Sequence, residues 1–170
     1  MDLTLSRRGD YVLRAALDLA RAWHQGGYRK IREVAEEMDL PRSYTPRILS
    51  LLAQAGLATA RAGREGGYRL IRSPEEISLL DVVEAGDGNL APDHCTLRGG
   101  PCRWGDVCAV HPAWKKATEA LKGALRETSL ASVAAVDQAL ADGKFTVPAD
   151  AHRVKTRRQQ NTPEPELVGR

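Results

Sequence analysis

The chain has 170 residues, of which 42% are hydrophobic and 28% are charged. This length suits one ordinary globular domain, or a small domain with an oligomerisation arm. No apolar run approaches the roughly 18 residues of a membrane-spanning helix, and the charged N-terminus excludes a secretory signal peptide, so we expect a cytoplasmic protein. Residues 1 to 73 hold 13 Lys and Arg against 8 Asp and Glu, and this positive excess suits a polyanionic partner.

The first half of the chain predicts a helix-turn-helix followed by a β-hairpin. Apolar residues at three-and-four spacing predict a first helix from the N-cap Ser6 to about Trp23. The stretch "IREVAEEMDL" predicts a short second helix, and "PRSYTPRILSLLAQAG" a third, with Ser43 as its cap and Pro46 in its first turn. Two alternating runs, "LATARA" and "YRLIR", flank the turn "GREGG" and predict a hairpin, which after a helix-turn-helix is a wing.

The second half predicts three more helices. In "SPEEISLLDVVEAGDG", Ser73 and Glu76 have the spacing of a capping box. A long amphipathic helix is predicted from Pro112 through "PAWKKATEALKGALRET", and a shorter one in "SLASVAAVDQALA". The long helix has no evident partner in its own domain, so we expect it to mediate dimerisation, the alternative being an ordinary core helix.

The predicted helix-turn-helix and wing favour DNA binding. The N-terminal side chains of a second, recognition helix reach base edges in the major groove, while other basic residues contact phosphates. A protein–protein module with a solvated arginine face is the alternative, but the order of elements and the positive excess favour DNA. The candidate DNA contacts are Arg7, Arg8, Arg42, Ser43, Tyr44, Thr45, Arg47, Arg61, Arg64 and Arg69.

All three cysteines lie in the segment "CTLRGGPCRWGDVCAVH", which ends on a histidine. An odd number of thiols in a reducing compartment points to a metal or to catalysis rather than to a disulfide framework. Cys95, Cys102, Cys108 and His111 form a donor set suited to tetrahedral iron or zinc. Structural zinc sites more often use cysteine pairs two residues apart, so single cysteines five or six apart favour an iron–sulfur cluster. A zinc site and three metal-free thiols remain alternatives.

Two stretches carry a resemblance to a known family, namely "GREGGYRLIRSPEEISLLDVV" and "CTLRGGPCRWGDVCAVHPAW". With the order of elements, they resemble the IscR/NsrR-type iron–sulfur winged-helix transcription regulators over about residues 3 to 140. The resemblance implies a homodimer on double-stranded operator DNA. It also implies a cluster between the cysteine loop and the partner subunit, whose state sets the DNA affinity.

The two branches of that family imply different fourth ligands. In the IscR branch, three cysteines and a histidine hold a 2Fe-2S cluster, and Cys95, Cys102, Cys108 and His111 match those positions. In the NsrR branch, an aspartate on the partner's first helix completes a 4Fe-4S site, and Asp10 matches that position. The stretch "CAVHPAW" favours His111 and 2Fe-2S, although the first cysteine gap is six residues here where the family usually has five.

Together these observations predict a mainly α fold with a small β-hairpin wing, a winged helix-turn-helix plus a long dimerisation helix. The expected divisions are a DNA-binding domain at 1–88, a cluster-binding loop at 89–111, dimerisation helices at 112–142 and a disordered tail at 143–170. We expect a homodimeric transcription regulator that senses redox, nitric oxide or iron–sulfur status, not an enzyme. An iron–sulfur redox protein is disfavoured, because no catalytic triad, phosphate loop or dinucleotide fingerprint is present.

Overall fold

The computed structural model describes residues 4–90, 104 and 107–146. Its helices are α1 (Arg7–Arg21), a 3-10 turn (Trp23–Gln25), α2 (Ile31–Glu37), α3 (Thr45–Gln54), α4 (Leu79–Asp87), α5 (His111–Glu127) and α6 (Leu130–Ala141). The strands β1 (Ala58–Arg61) and β2 (Gly67–Leu70) pair in an antiparallel hairpin. The predicted mainly α fold with a hairpin wing is therefore confirmed. None of the helices in these segments has the length and apolar content needed to cross a bilayer.

Helix α1 lies at the centre of the fold. Its start is set by Ser6, whose Oγ accepts the Gly9 N–H at 3.1 Å, as an N-cap residue should. Val12 and Leu19 are almost fully buried on its inner face, and they belong to one apolar core with residues of α2, α3, the wing, α4 and α6. We call α1 to α4 with the hairpin, the part of the chain predicted to bind DNA, the DNA-binding unit, and its core is built around this helix.

The crossing of α1 and α4 depends on two glycines. A Cβ on Gly86 would lie only 2.8 Å from the Cα of Gly9, a separation that real side chains do not tolerate. A Cβ on Gly9 would in turn meet the carboxylate of Asp87, which accepts hydrogen bonds from the N–H and Oγ of Ser6. The two helices thus approach closely because neither has a side chain at the crossing.

Both helix caps predicted after the first helix are wrong. Helix α3 begins at Thr45 after Tyr44, which makes no side-chain cap, so Ser43 does not cap it. Helix α4 is capped not by Ser73 but by Ser78, whose Oγ accepts the Asp81 N–H at 3.1 Å. The carboxylate of Asp81 accepts the Ser78 N–H at 2.9 Å and completes a capping box.

Long-range pairing explains the late start of α4. The N–H of Leu79 donates to Thr128 at 2.8 Å, and the N–H of Leu130 donates to Ile77 at 2.8 Å. These bonds flank Ser78, whose backbone is extended and not helical, so a helix that starts at Ser73 cannot run through it into α4.

The two C-terminal helices differ in burial. Helix α6 packs on α1, with Leu130 fully buried, Ala134 nearly so, and an ion pair between Arg21 and Asp137. Helix α5 has no buried residue over its 17 positions. The core of the DNA-binding unit therefore extends into α6, whereas α5 remains without a complete cover within the described residues.

The glycine crossing yields a stability prediction. Replacing Gly86 with Ala forces α4 away from Gly9, and overpacking of this kind costs about 1 to 3 kcal/mol. The matched control is Gly123→Ala in α5, where an added Cβ meets no atom within 4 Å; it should be neutral or stabilise by up to about 1 kcal/mol. Urea unfolding followed by circular dichroism measures both. Equal stability of the two variants would show that the α1–α4 crossing accommodates a Cβ at residue 86 without strain.

Candidate functional site

The turn between α2 and α3 sets the direction of the recognition helix. Asp39 takes the left-handed conformation, with φ 51°, and is the only non-glycine residue with positive φ among those described; aspartate tolerates this region better than most residues. The next residue, Leu40, is buried, and its N–H donates to Ala35 at 2.9 Å. In the first turn of α3, Pro46 and Arg47 are exposed to solvent while Thr45 is buried.

The residues predicted to read DNA on this helix are not equivalent. Arg42, Ser43 and Arg47 are exposed, and Arg42 pairs with the carboxylate of Glu36 at 2.5 Å. Tyr44 is half-buried and lies edge-on against Tyr11, with ring centroids 6.2 Å apart.

Thr45 requires a correction. Its side chain is fully buried, and its Oγ1 donates to the carbonyl oxygen of Pro41 at 3.0 Å. The side chain is therefore directed into the protein, where its hydroxyl bonds the turn before α3, and it is not exposed to reach a base.

The wing presents its arginines outward. Leu57, Ala58 and Leu70 bury the inner end of the hairpin, while Arg61, Arg64 and Arg69 are all exposed. Arg64 lies in the turn that the hydrogen bond from the Gly66 N–H to Gly63 closes at 3.0 Å. This surface adds three positive charges beside the recognition helix.

A third backbone segment joins the wing, and the sequence pattern, in which "HQGGYRK" is typical of a turn, did not predict it. Arg29 and Tyr68 exchange both backbone hydrogen bonds at 2.8 Å, so residue 29 pairs antiparallel to β2. A Cβ on Gly67 would collide with the carbonyl oxygen of Arg29. The two adjacent glycines of "GGYRL" were the available signal for this close approach of backbones.

The side chain of Arg29 ties this segment to the core. Its guanidinium makes a bidentate pair with Asp18 of α1, at 2.9 and 3.0 Å, and also approaches Glu33 at 3.5 Å. The hydrogen bond to Asp18 raises the pKa of Arg29 above its ordinary value. Asp18 is almost fully buried, so the pair is an internal strut between α1 and the wing.

The first turn of α1 adds further charge. Arg7 and Arg8 are both exposed there, as a role in phosphate contact requires. The carboxylate of Asp10 is held by Arg14 one turn later, through bonds of 2.9 and 3.0 Å. Asp10 is therefore already engaged within its own chain.

The predicted metal ligands are only partly within the described residues. Cys108 is a half-buried free thiol, and its N–H donates to Trp104 at 2.9 Å. His111 is the first residue of α5 and is half-buried. Cys95 and Cys102 lie outside the described residues. In the part of the chain that is described, no three His, Cys, Asp or Glu side chains converge as a metal site, so the four-donor set stays a prediction.

Comparisons with known proteins agree with this arrangement. The sequence model of the Rrf2 family, described as an iron-dependent transcriptional regulator, matches residues 5–136. The HTH-type transcriptional regulator IscR of Serratia proteamaculans is 29% identical over 159 residues, covering 94% of this chain and 92% of that protein.

Two solved structures have a similar fold. CymR, the global cysteine regulator of B. subtilis, matches with a TM-score of 0.64 and 27% identity, over 79% of this chain and 98% of that one. T. potens IscR matches with a TM-score of 0.61 over 87% of this chain and 96% of that one. At 24% identity the second likeness supports the fold alone.

The exposed arginines give a DNA-binding prediction. Arg47→Gln should cost about 1 to 3 kcal/mol of binding free energy if it contacts a base edge. Arg64→Gln should reduce the slope of log binding constant against log salt concentration by about one, as expected for one lost phosphate contact. Fluorescence anisotropy on a duplex selected by the wild-type protein from a random pool measures both.

Arg126→Gln is the control, because Arg126 is exposed in the last turn of α5, away from α3 and the wing in sequence. Equal losses of DNA affinity in all three variants would show that binding depends on the net positive charge of the protein and not on the surface formed by α3 and the wing.

Proposed function

This chain belongs to the Rrf2 family of DNA-binding transcriptional regulators, and we propose that it is a homodimer that senses redox, nitric oxide or iron–sulfur status through an iron–sulfur cluster. Its relatives are transcriptional regulators and not enzymes, which confirms the prediction of a regulator. The observation that carries the proposal is the position of Cys108 and His111, which lie at the start of a long helix that has no buried residue in the described part of the structure.

In the proposed complex, α3 enters the major groove of the operator and the wing follows the neighbouring backbone. Arg47 and Ser43 are the exposed candidates for base edges on α3. Arg7, Arg8, Arg61, Arg64 and Arg69 are the candidates for phosphates. A second copy related by a two-fold axis places its own α3 about 34 Å away, one turn of DNA along the operator.

Helix α5 is the proposed dimer contact. Leu121 is 37% exposed on it, and Trp104, Val107 and Val110 before it are also exposed apolar residues. We call these four residues the apolar strip, and an exposed apolar patch marks a protein–protein contact more often than a free surface. The strip begins beside Cys108, so the same contact would cover the cysteine loop.

The donor set fits an iron–sulfur cluster. Three thiols and one imidazole are the ligands that iron in such clusters accepts, and the described thiol, Cys108, has no disulfide partner. Cys95, Cys102, Cys108 and His111 would hold a 2Fe-2S cluster. Such a group, when bound, supplies iron whose charge and ligation change with oxidation or nitric oxide. Asp10 is the alternative fourth ligand for a 4Fe-4S cluster, but it would first have to leave Arg14.

Contacts at the beginning of the cysteine loop would transmit its state to the DNA-binding unit. At the beginning of the loop, the carboxylate of Glu84 in α4 accepts the N–H of Leu90 at 3.3 Å. Lys122 of α5 lies 3.7 Å from the same carboxylate and donates to Asn89 at 3.3 Å. A change in loop conformation therefore acts directly on the junction of α4 and α5, which joins each DNA-binding unit to the proposed dimer contact.

The cluster proposal is tested by analysis of protein purified without oxygen. About two iron and two sulfide per chain would support 2Fe-2S, and about four of each would support 4Fe-4S. Zinc without sulfide would replace the proposal with a zinc-stabilised regulator that does not sense redox state.

Single substitutions identify the ligands. Cys102→Ala should abolish the visible absorbance of the cluster while the protein remains folded. His111→Ala should alter the spectrum and Asp10→Ala should not, since Asp10 is paired with Arg14; the reverse result would assign the fourth ligand to Asp10. Arg47→Gln is the matched control and should keep the wild-type spectrum.

The dimer proposal is tested on α5. Leu121→Glu places a charge in the apolar strip and should convert a dimer to a species with the 18.5 kDa mass of one chain, because burying an unpaired carboxylate is strongly unfavourable. Lys116→Glu, an exposed position on another face of the same helix, should remain dimeric. Light scattering after size-exclusion chromatography measures the mass, and a dimeric Leu121→Glu variant would refute this contact.

A further inference from the structure

Tyr28 lies against two arginines of the wing. The guanidinium carbon of Arg69 is 4.8 Å from the centre of its ring, and that of Arg61 is 5.9 Å from it. Both distances are within the range in which a cation is attracted to an aromatic ring. Two exposed guanidinium groups on a short hairpin repel each other, and their attraction to the same ring offsets part of that repulsion.

The backbone register explains why these side chains meet. Arg29 pairs with Tyr68, so Tyr28 stands opposite Arg69 across the antiparallel ladder. Within the hairpin, Arg69 pairs with Thr59 and Arg61 pairs with Gly67. Side chains alternate between the two faces of a sheet, and this register puts Tyr28, Arg69 and Arg61 on one face.

The strut described above holds this arrangement in place. Arg29 is bound to the buried Asp18 of α1 through its side chain and to Tyr68 through its backbone. Tyr28, the next residue, therefore has a fixed backbone position relative to both the core helix and the wing, and its ring is a platform rather than part of a free loop.

We propose that Tyr28 is a positioning residue for DNA binding, which holds Arg61 and Arg69 in the orientation that contacts the phosphate backbone. This inference rests on the DNA-contact surface of the proposed function. A guanidinium stacked on a ring uses its flat face, while its N–H groups at the edge stay free for phosphate oxygens. The ring thus reduces the side-chain entropy lost on binding without occupying the donors.

The test compares ring-retaining and ring-free variants of the full-length protein on the selected duplex. Tyr28→Leu should weaken binding about fivefold to tenfold, the effect of losing one or two exposed cation–π contacts. Tyr28→Phe should bind within about twofold of wild type, because it keeps the ring. Tyr28→Gln serves as a second ring-free variant, and thermal unfolding checks that each protein is folded.

A double-mutant cycle separates positioning from a general structural effect. Tyr28→Leu should be non-additive with Arg69→Gln, because the two side chains act together, and additive with Arg64→Gln at the hairpin turn. The inference about Tyr28 would be wrong if both ring-free variants bound DNA like wild type. It would also be wrong if Tyr28→Leu were as additive with Arg69→Gln as with Arg64→Gln. Either result would leave the proposed function intact. If neither Arg69→Gln nor Arg64→Gln weakens binding, the proposed DNA-contact surface itself fails, and the inference fails with it.

Discussion

The burial of α1 is the constraint on which the rest of this structure depends. Its inner face consists of small and medium apolar residues such as Val12, Ala16 and Leu19, all nearly inaccessible to solvent. Because those side chains are short, α4 and α6 approach α1 closely, and at Gly9 the backbone itself is the contact surface. The recognition helix, the wing and the last helix thus share one support, which favours motion of the unit as a rigid body.

The arginines of this structure fall into two groups, those paired with carboxylates inside the fold and those exposed on its surface. Arg29 and Arg21 are largely covered and pair with Asp18 and Asp137, so they join elements together. Pairs with a nearly buried carboxylate lose much if one partner is removed, since the other charge is left without compensation. The arginines of the wing and the recognition helix are exposed instead, and their positive charge is available to a phosphate backbone.

The candidate metal site and the proposed dimer contact are adjacent, which links them physically. Cys108 and His111 stand where the chain enters α5, and three residues of the apolar strip, Trp104, Val107 and Val110, precede the helix at the same place. A change at the thiols would therefore act on the packing of α5, and through Glu84 and Lys122 on α4. In the proposed regulator, the spacing of two recognition helices is the quantity that such a change would alter, because an operator accepts only one spacing.

Local sequence determined much of this protein, and its regular elements were predictable for that reason. The three-and-four spacing behind Ser6 predicted α1, and the runs flanking "GREGG" predicted the wing, because each pattern reports which face of a segment is apolar. The sequence also identified the donor residues around Cys108 by their type and spacing. It identified the candidate arginines by their places in the predicted helices and hairpin.

Contacts between distant residues decided the rest, and no local pattern records them. Helix α4 starts at Leu79, capped by Ser78, and not near Ser73, because the backbone next to its start pairs with residues 128–130. Thr45 is buried because the packing of α3 directs that side chain into the protein, where it bonds the carbonyl oxygen of Pro41. Tyr28 meets the wing only after Arg29 has paired with Tyr68. A sequence reports what each segment prefers, but which segments meet depends on the packing of the whole chain, and only the tertiary structure shows it.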